Sequence, residues 1–534
     1  MTDLGVIAAG SAQSVEAGAE VFRGGGNAVD AAVGAAFAVA AGDPSITSLA
    51  GGGVLIFRDG ATGEVEVCDF FVDAPGLGGR RVAGGDVQPP PDFEAVDLDF
   101  GVGETLQRFY IGRGSAAVPG VIPGLAAVLE RWGSLSLEDV VAPTVTLLRE
   151  GVRLTEYQVD CIRVLETILR YSAVGRRLFL DAAGQVVAPG AIFRNSELAS
   201  TLERLGRDGL ESVYGKDIAE QMLAEFSEEH GGRLTAEDLQ SWKAEFRPAL
   251  LTRYGGATVA LNPAPSIGGR FIQRTLELFE SAGVGDVPQD SPERYRRTAA
   301  VFRAVSEVRV EDPGIVDRPA AAAILDDRLQ SILGDGGRVE AGTEPGGPGN
   351  TTHISVIDRS GNAAAVTISH GEGCGYWVGD SGLHMNNILG EADLFPEGFH
   401  RFTPGERLQT MMAPTIIVEP SGGVTALGSG GSNRIRTAIA QVISALLDDR
   451  LEAGEAVKHG RIHVESGVLS GETYALPGDD TALEQARQLV RETKVFGTPS
   501  LFFGGVHLVR RGADGKFSGA GDPRRGGVVR IVEA

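Results

Sequence analysis

The stretch "GNTTHISVIDRSGNAAAVTIS", residues 349 to 369, predicts a β-hairpin, and this hairpin decides the fold. Its two strand-like runs, "HISVID" and "NAAAVTIS", flank the tripeptide "RSG", a loop length at which glycine takes the left-handed position. Pairing Asp358 with Asn362 sets the register of the two strands. Thr351 then lies opposite Ser369, so two hydroxyl groups meet at the open end of the hairpin.

The role of Thr351 can be interpreted in two ways. Threonine favours strands, so Thr351 and Ser369 can be an ordinary cross-strand pair, with His353 on the same face as Thr351. The Gly- and Pro-rich run "EAGTEPGGPGN" directly before it favours cleavage of the Asn350–Thr351 bond instead. A terminal threonine has an α-amine with a pKa near ~8, which is the base for its own hydroxyl, and Ser369 would orient that hydroxyl.

The composition excludes several classes of protein. Of 534 residues, 43% are apolar and 22% are charged, which is typical of a globular protein rather than a disordered one. The net charge of −23, with no basic stripe, argues against nucleic-acid binding. The most apolar stretch, "AAVGAAFAVAAG", is shorter than the ~20 residues that span a bilayer, so no membrane partner is expected.

The cysteines and histidines give no sign of a metal or a disulfide framework. Three cysteines lie far apart, and the eight histidines show neither an HExxH motif nor a Cys/His ligand spacing. We therefore expect no metal and no cofactor. The N-terminus lacks a basic segment followed by an apolar one, which predicts a cytoplasmic protein without a signal peptide.

The order of helical and strand-like segments predicts antiparallel sheets covered by helices. Two helices are predicted within 12–41, and "DGATG" joins two strands that follow them. Residues 83–103 are acidic and Pro-rich, which predicts an exposed loop. The remaining predicted segments are helices across most of 120–250, at 267–284 and 292–310, at 433–450 and at 481–491, and strands at 351–369, 413–427 and 501–532.

The chain resembles the γ-glutamyltransferases, N-terminal-nucleophile hydrolases that cut themselves before a threonine. The hairpin with its continuation "GYWVGDSGLHMNNILGEADLF" carries this resemblance, together with "GGGNAVDAAVGAAFAV", "SLAGGGVLIF", "DAPGLGGRR", "GSAAVPGVIPGL", "MMAPTIIV", "GSGGSNRI" and "GAGDPRR". It implies a four-layer αββα sandwich of the α+β type. It also implies self-cleavage between Asn350 and Thr351 into a large fragment, 1–350, and a small one, 351–534, that form one catalytic unit.

The resemblance also implies catalytic roles. Thr351 would carry the acyl group, and the main-chain N–H groups of Gly431 and Ser432 would bind the oxyanion. The family usually has a Gly-Gly pair at that point, whereas this chain has Gly-Ser preceded by Gly430, so the two amides are not fixed. A plain turn before a helix is the other interpretation, since the Lys of a phosphate-binding loop is missing.

The substrate-binding positions match the family only in part. Arg80 aligns with the arginine that binds the substrate α-carboxylate, although a solvated surface arginine is the simpler interpretation. The residues that hold the α-amine in the family fall on Ile388 and Glu391, and two family serines fall on Gln409 and Thr410. An asparagine of the glutamyl-specific members falls on Gly371.

These matches predict cleavage of γ-glutamyl amides such as glutathione through an acyl-Thr351 intermediate. Two alternatives stay open: an amidohydrolase or acylase for another small acid amide, oxamate-like or glutaryl-like, and an uncleaved relative that only binds such ligands. The expected partners are a small-molecule amide and the two fragments of one chain. A homodimer of processed heterodimers is left open.

Overall fold

The computed structural model describes residues 3–79, 90–99, 106–312, 314–335, 350–395, 398–473 and 479–534. Two large antiparallel sheets pack face to face, and helices cover the outer face of each sheet. The predicted four-layer αββα sandwich is therefore confirmed.

The first sheet has seven strands with the predicted hairpin in its interior. Thr351 pairs with Ser369 and Ile357 with Ala363, in the predicted register, and Gly361 in the loop has φ +83°. In spatial order the strands are Val528–Glu533, Asp3–Ala9, Thr351–Asp358, Ala363–Ser369, Gly52–Arg58, Val65–Phe70 and Glu245–Pro248.

The second sheet has six strands and faces the inner side of the first. Its interior strand Val424–Gly430 is the one that reaches the open end of the hairpin. In spatial order the strands are Phe517–Ala520, Gly505–Arg511, Val424–Gly430, Thr415–Val418, Ala257–Leu261 and Leu250–Tyr254.

Apolar side chains of moderate size fill the space between the sheets, among them Ile56 and Ile357 from the first sheet and Ile416 from the second. The helix Ala28–Gly42 is buried along its whole length, as its Ala/Val composition predicts, and Asn27 caps it in a capping box. The other long helices over the first sheet are Ala12–Arg23, Val121–Trp132, Leu137–Glu150 and Ser196–Asp208. Those over the second sheet are Gly268–Ser281, Pro292–Glu311, Ala321–Asp335 and Arg434–Leu447.

Two segments differ from the prediction. Part of the loop expected at 83–103 is a strand, Glu94–Asp99, which pairs with Leu106–Ile111. The helix expected at 481–491 is only the short helix Glu484–Arg487 after a 3-10 turn, and the strand Glu492–Phe496 follows it. That strand pairs in parallel with residues 468–472. Because its partner is not adjacent in the sequence, no hairpin turn signals the pairing.

Segments before and after residue 350 alternate within the first sheet. The strand Thr351–Asp358 lies between Asp3–Ala9, from the N-terminal part, and Ala363–Ser369, from the C-terminal part. Gly52–Arg58 then follows on the far side of Ala363–Ser369. In the described part of the chain, no helix has the length and apolar character needed to cross a bilayer.

A methyl group at position 430 should disturb the contact between the two sheets. A Cβ on Gly430 would lie 2.0 Å from the carbonyl oxygen of Thr351, so Gly430→Ala forces the strands apart. We expect a loss of about 1–3 kcal/mol of stability, seen as a lower melting temperature. Gly454→Ala is the matched control, since no described atom lies within 4 Å of its Cβ position. Equal melting temperatures for the two variants would contradict the close contact.

Candidate active site

The open end of the hairpin brings Ser369 onto the peptide bond before Thr351. Both side chains are nearly buried, with 8% of Thr351 and 5% of Ser369 exposed. The Ser369 hydroxyl donates to the Asn350 carbonyl oxygen at 2.6 Å and accepts from the Gly371 N–H at 3.1 Å. A hydroxyl that donates to a carbonyl withdraws electrons from its carbon, so the carbonyl of the Asn350–Thr351 bond is polarised.

The turn Gly430–Asn433 lies directly against Thr351. The strand Val424–Gly430 ends there, and the helix Arg434–Leu447 begins after it. The Ser429 hydroxyl donates to the Gly430 carbonyl oxygen at 2.7 Å and accepts from the Gly505 N–H at 3.1 Å, which fixes the strand end. A rigid turn entering a helix presents main-chain N–H groups that can stabilise a negative oxygen.

The backbone of this turn has the left-handed conformation that glycine favours. Gly431 has φ +125° and Ser432 has φ +48°. Serine at position 432 therefore holds a backbone conformation that glycine favours, at a cost of about 1 kcal/mol. That Gly431 and Ser432 supply the oxyanion N–H groups stays a prediction.

Arg525 contacts the main chain of Thr351, a role that the sequence did not reveal. Its guanidinium donates to the Thr351 carbonyl oxygen at 3.4 Å and to the Leu501 carbonyl oxygen at 3.3 Å. The buried Asp522 carboxylate anchors the same turn, because it accepts from Arg461 at 2.6 Å and from the Val506 N–H at 2.9 Å. The block "GAGDPRR" was recognisable as a motif, but its contact with Thr351 joins positions 174 residues apart.

His353 shares the inner face with Thr351, as predicted, and has a structural role. Its ring nitrogens are 2.8 Å from the hydroxyls of Thr367 and Ser355. Burial lowers the pKa of His353 well below its usual range, so the ring is neutral at physiological pH. Gly428 makes room for it, because a Cβ there would lie 2.3 Å from the ring.

Asp43 is a second residue that sequence reasoning missed. It ends the helix Ala28–Gly42 and is only 4% exposed. Its Oδ2, the Thr352 Oγ1 and the His507 Nε2 lie 3.4, 3.1 and 3.5 Å from the position that a Cβ on Gly10 would take. Burial raises the pKa of the Asp43 carboxyl to about 7, against the lowering effect of the Arg525 charge. A carboxyl that titrates near neutrality therefore lies on the helix-facing side of the Thr351–Asp358 strand.

The residues expected to bind substrate are only partly assembled. Glu391 Oε1 lies 2.6 Å from the Cβ position of Gly371, which places this carboxylate beside the loop that follows Ser369. Ile388 is buried in the apolar cluster between the sheets. Arg80 lies outside the described residues.

The two residues aligned with the family serines, Gln409 and Thr410, differ from each other in exposure. Thr410 is buried, and its hydroxyl accepts from the Met412 N–H at 3.2 Å, whereas Gln409 is exposed. The hydroxyl of Thr410 still has a proton to donate. Among the residues that the structure describes, no three His, Cys, Asp or Glu side chains gather as a metal ion requires.

Comparison with known proteins places this site in a family. The family model described as Gamma-glutamyltranspeptidase matches residues 14–532. The chain belongs to the γ-glutamyltranspeptidase family. It is therefore an enzyme of the N-terminal-nucleophile hydrolase type, and the resemblance seen in the sequence is confirmed.

The relatives of this chain include proteins named as acylases and proteins named as glutathione hydrolases. The Acylase ACY 1 proenzyme of Pseudomonas sp. (strain V22) is 30% identical, over 94% of this chain and 89% of that protein. The Glutathione hydrolase proenzyme of Escherichia coli (strain K12) is 27% identical, over 97% and 90%. The cephalosporin acylase from Bacillus halodurans has the same fold, with a TM-score of 0.80 at 20% identity over 100% of this chain and 96% of that one.

Removal of the Ser369 hydroxyl should slow cleavage of the Asn350–Thr351 bond. Ser369→Ala loses the 2.6 Å hydrogen bond to the carbonyl, and the loss of one such donor costs about 10²–10³ in rate. Denaturing gels of samples taken over time measure the rate, and Ser369→Thr, which keeps a hydroxyl, should recover part of it. An Ala variant that cleaves as fast as the wild type would show that this hydrogen bond has no catalytic effect.

Replacement of Asp43 by asparagine should stabilise the fold above neutral pH. From about pH 4 to pH 7 the unfolded chain loses the Asp43 proton while the folded chain keeps it, so wild-type stability falls across this window. Asp43→Asn avoids that loss, and its melting temperature should exceed the wild-type value by several degrees at pH 8 and match it at pH 4. The exposed Asp380→Asn is the control. A gain that is equal at both pH values would contradict a raised pKa.

Proposed function

We propose that the enzyme cleaves itself between Asn350 and Thr351 and then hydrolyses or transfers amides through an ester on Thr351. The observation that carries this proposal is the bond from the Ser369 hydroxyl to the carbonyl of the bond to be cut. Thr351 begins the strand directly after that carbonyl. An ordinary cross-strand pair of hydroxyls would not require a polarised carbonyl between them.

The self-cleavage step needs only groups of this chain and one water molecule. The Thr351 hydroxyl attacks the Asn350 carbonyl carbon, its proton passes to the Thr351 nitrogen as the C–N bond breaks, and the acyl group moves from nitrogen to oxygen. Water then hydrolyses the ester, which yields an Asn350 carboxylate and restores the Thr351 hydroxyl beside a free α-amine. The Ser369 hydroxyl and the N–H groups of the Gly430–Asn433 turn would stabilise the negative oxygen in both steps.

The mature enzyme would repeat this chemistry on an external amide. The α-amine of Thr351 takes the proton of its own hydroxyl as that oxygen attacks, and then gives a proton to the departing amine. Water or a second amine then accepts the acyl group. The Thr351 carbonyl, held by Arg525 and packed on Gly430, fixes the position of the nucleophile during both half-reactions.

We propose that the enzyme is an acylase whose acyl group differs from the γ-glutamyl group. Gly371 has no side chain, and Ile388 is buried between the sheets, so neither offers a polar contact to the charged end of a glutamyl group. A charged group that binds in a buried site normally needs a polar or charged partner, because an unpaired charge is costly to desolvate. The relative named Acylase ACY 1 proenzyme supports this assignment.

A γ-glutamyl amide is the second candidate. The carboxylate of Glu391, beside Gly371 and near Ser369, suits the α-amine of a glutamyl group. Relatives named Glutathione hydrolase proenzyme support it. Initial rates with glutathione, a γ-glutamyl anilide, oxamate and glutaryl amides would decide between the two, and the higher kcat/KM identifies the acyl group.

Thr351→Ala should remain a single chain without activity, because the attacking hydroxyl is absent. The wild-type protein should give two bands of about 36 and 19 kDa, the shares of 350 and 184 residues in 55.7 kDa. Thr352→Val is the matched control: it alters the adjacent threonine, on the other face of the strand, and should cleave. Mass spectrometry locates the new terminus, and a terminus at any residue other than Thr351 would refute the assignment.

A further inference from the structure

A cluster of aromatic rings lies beside the loop that carries Glu391. Phe93 stacks on Tyr110 with ring centroids 4.7 Å apart, Tyr110 contacts Phe399 at 4.6 Å, and Phe93 meets the edge of His400 at 4.6 Å. The rings around His400 are half-buried, so each keeps some surface open. The aromatic cluster comprises Phe93, Tyr110, Phe395, Phe399, His400 and Phe402.

His400 is the unusual member of this cluster. It is 3% exposed, and neither ring nitrogen has a hydrogen-bond partner among the described residues. Its backbone has φ +62°, in the left-handed region that few residues other than glycine occupy. Burial, with the nearby charge of Arg233, lowers the pKa of His400 to about 4, so the ring is neutral and offers one donor and one acceptor. Buried polar atoms almost always have partners, so a group from outside the described chain is expected here.

The cluster is held rigidly from two sides. Asp92, next to Phe93, accepts from Arg113 at 3.0 Å, and its carbonyl accepts from the Gly114 N–H at 2.8 Å. On the other side, the Gly405 N–H donates to the Ala74 carbonyl oxygen at 2.7 Å, which anchors the segment after His400. Rings that are fixed before a ligand arrives bind it with a smaller entropy loss.

Asn387 connects the aromatic cluster to the active site. Its amide nitrogen donates to the Tyr110 carbonyl oxygen at 3.2 Å, and its amide oxygen accepts from the N–H groups of Glu372 and Gly373. The same oxygen lies 2.1 Å from the Cβ position of Gly371, whose N–H donates to Ser369. One side chain thus touches both the aromatic cluster and the loop that orients Ser369.

We propose that the aromatic cluster is a subsite of the active site that binds a planar ring of the amide substrate, with His400 hydrogen-bonded to a polar substituent on that ring. This inference rests on the proposed function and narrows its substrate to an aryl or heteroaryl amide. Aromatic rings contribute about 0.5–1.5 kcal/mol per pair beyond their buried area, which is a preference of about two- to tenfold over a saturated ring.

Binding of two simple probes to the processed wild-type protein tests the subsite without any turnover. The probes are 4-hydroxybenzamide and its saturated counterpart, 4-hydroxycyclohexanecarboxamide. We expect the aromatic probe to bind about fivefold more tightly in calorimetric titration, for the reason just given. In histidine-labelled protein, the imidazole resonance of His400 should shift with the aromatic probe.

Variants of the cluster separate its two functions. Phe93→Leu should remove the preference for the aromatic ring, and His400→Asn, which tolerates the left-handed backbone, should weaken the bond to the substituent. Phe246→Leu is the matched control, since that half-buried ring packs on Trp132, away from the cluster, at 5.2 Å. If His400→Asn does not fold, Phe93→Leu and the wild-type resonances still decide.

The outcomes distinguish the subsite from the proposed function. Equal affinity for both probes, with an unmoved His400 resonance, overturns the subsite and leaves a bound water as the partner of the ring nitrogens. Ring-selective binding by a protein that turns over no amide supports the subsite and refutes the function. Turnover of benzoyl amides compared with that of anilides then shows whether the bound ring lies on the acyl or the amine side of the substrate.

Discussion

The contact between the Thr351 carbonyl and the backbone of Gly430 is the constraint on which the rest of the site depends. It exists because position 430 has no Cβ, so the first strand of the hairpin can approach the end of the Val424–Gly430 strand. The same approach brings the turn that follows to Thr351, the proposed nucleophile, and lets Arg525 reach the carbonyl of Thr351. The proposed catalytic geometry is thus built on a packing contact between two sheets, with main-chain atoms as its principal parts.

Local patterns predicted the parts of this fold whose determinants lie close together in sequence. The hairpin register followed from a three-residue loop with glycine in the left-handed position, and the Asn27 cap followed from its position before an Ala-rich helix. The αββα layering came from the family resemblance. Arg525 and Asp43 escaped prediction because their roles arise from contacts between distant segments. The strand Glu492–Phe496 was missed because its five residues show no clear alternation of buried and exposed positions.

The proposed site has a part built mainly from backbone groups and hydroxyls and a part built from the side chains that would select the substrate. The proposed self-cleavage uses one hydroxyl on Thr351, a second on Ser369 and N–H groups of the backbone. Ser432 has the left-handed backbone conformation that glycine favours. In the proposed function, substrate selection would depend on side chains such as Ile388 and Glu391. This division explains how relatives with one fold have names that denote different reactions.

The interleaved strands of the first sheet change the molecularity of folding once the chain is cut. Thr351–Asp358 is hydrogen-bonded to a strand from before the cut on one side and to a strand from after it on the other. An intact chain can form this sheet in a first-order reaction, whereas two separate fragments must first meet, so their reassembly depends on concentration. If the proposed cut occurs, we expect the working lifetime of the two-fragment protein to be set by its unfolding rate rather than by an equilibrium that it re-establishes.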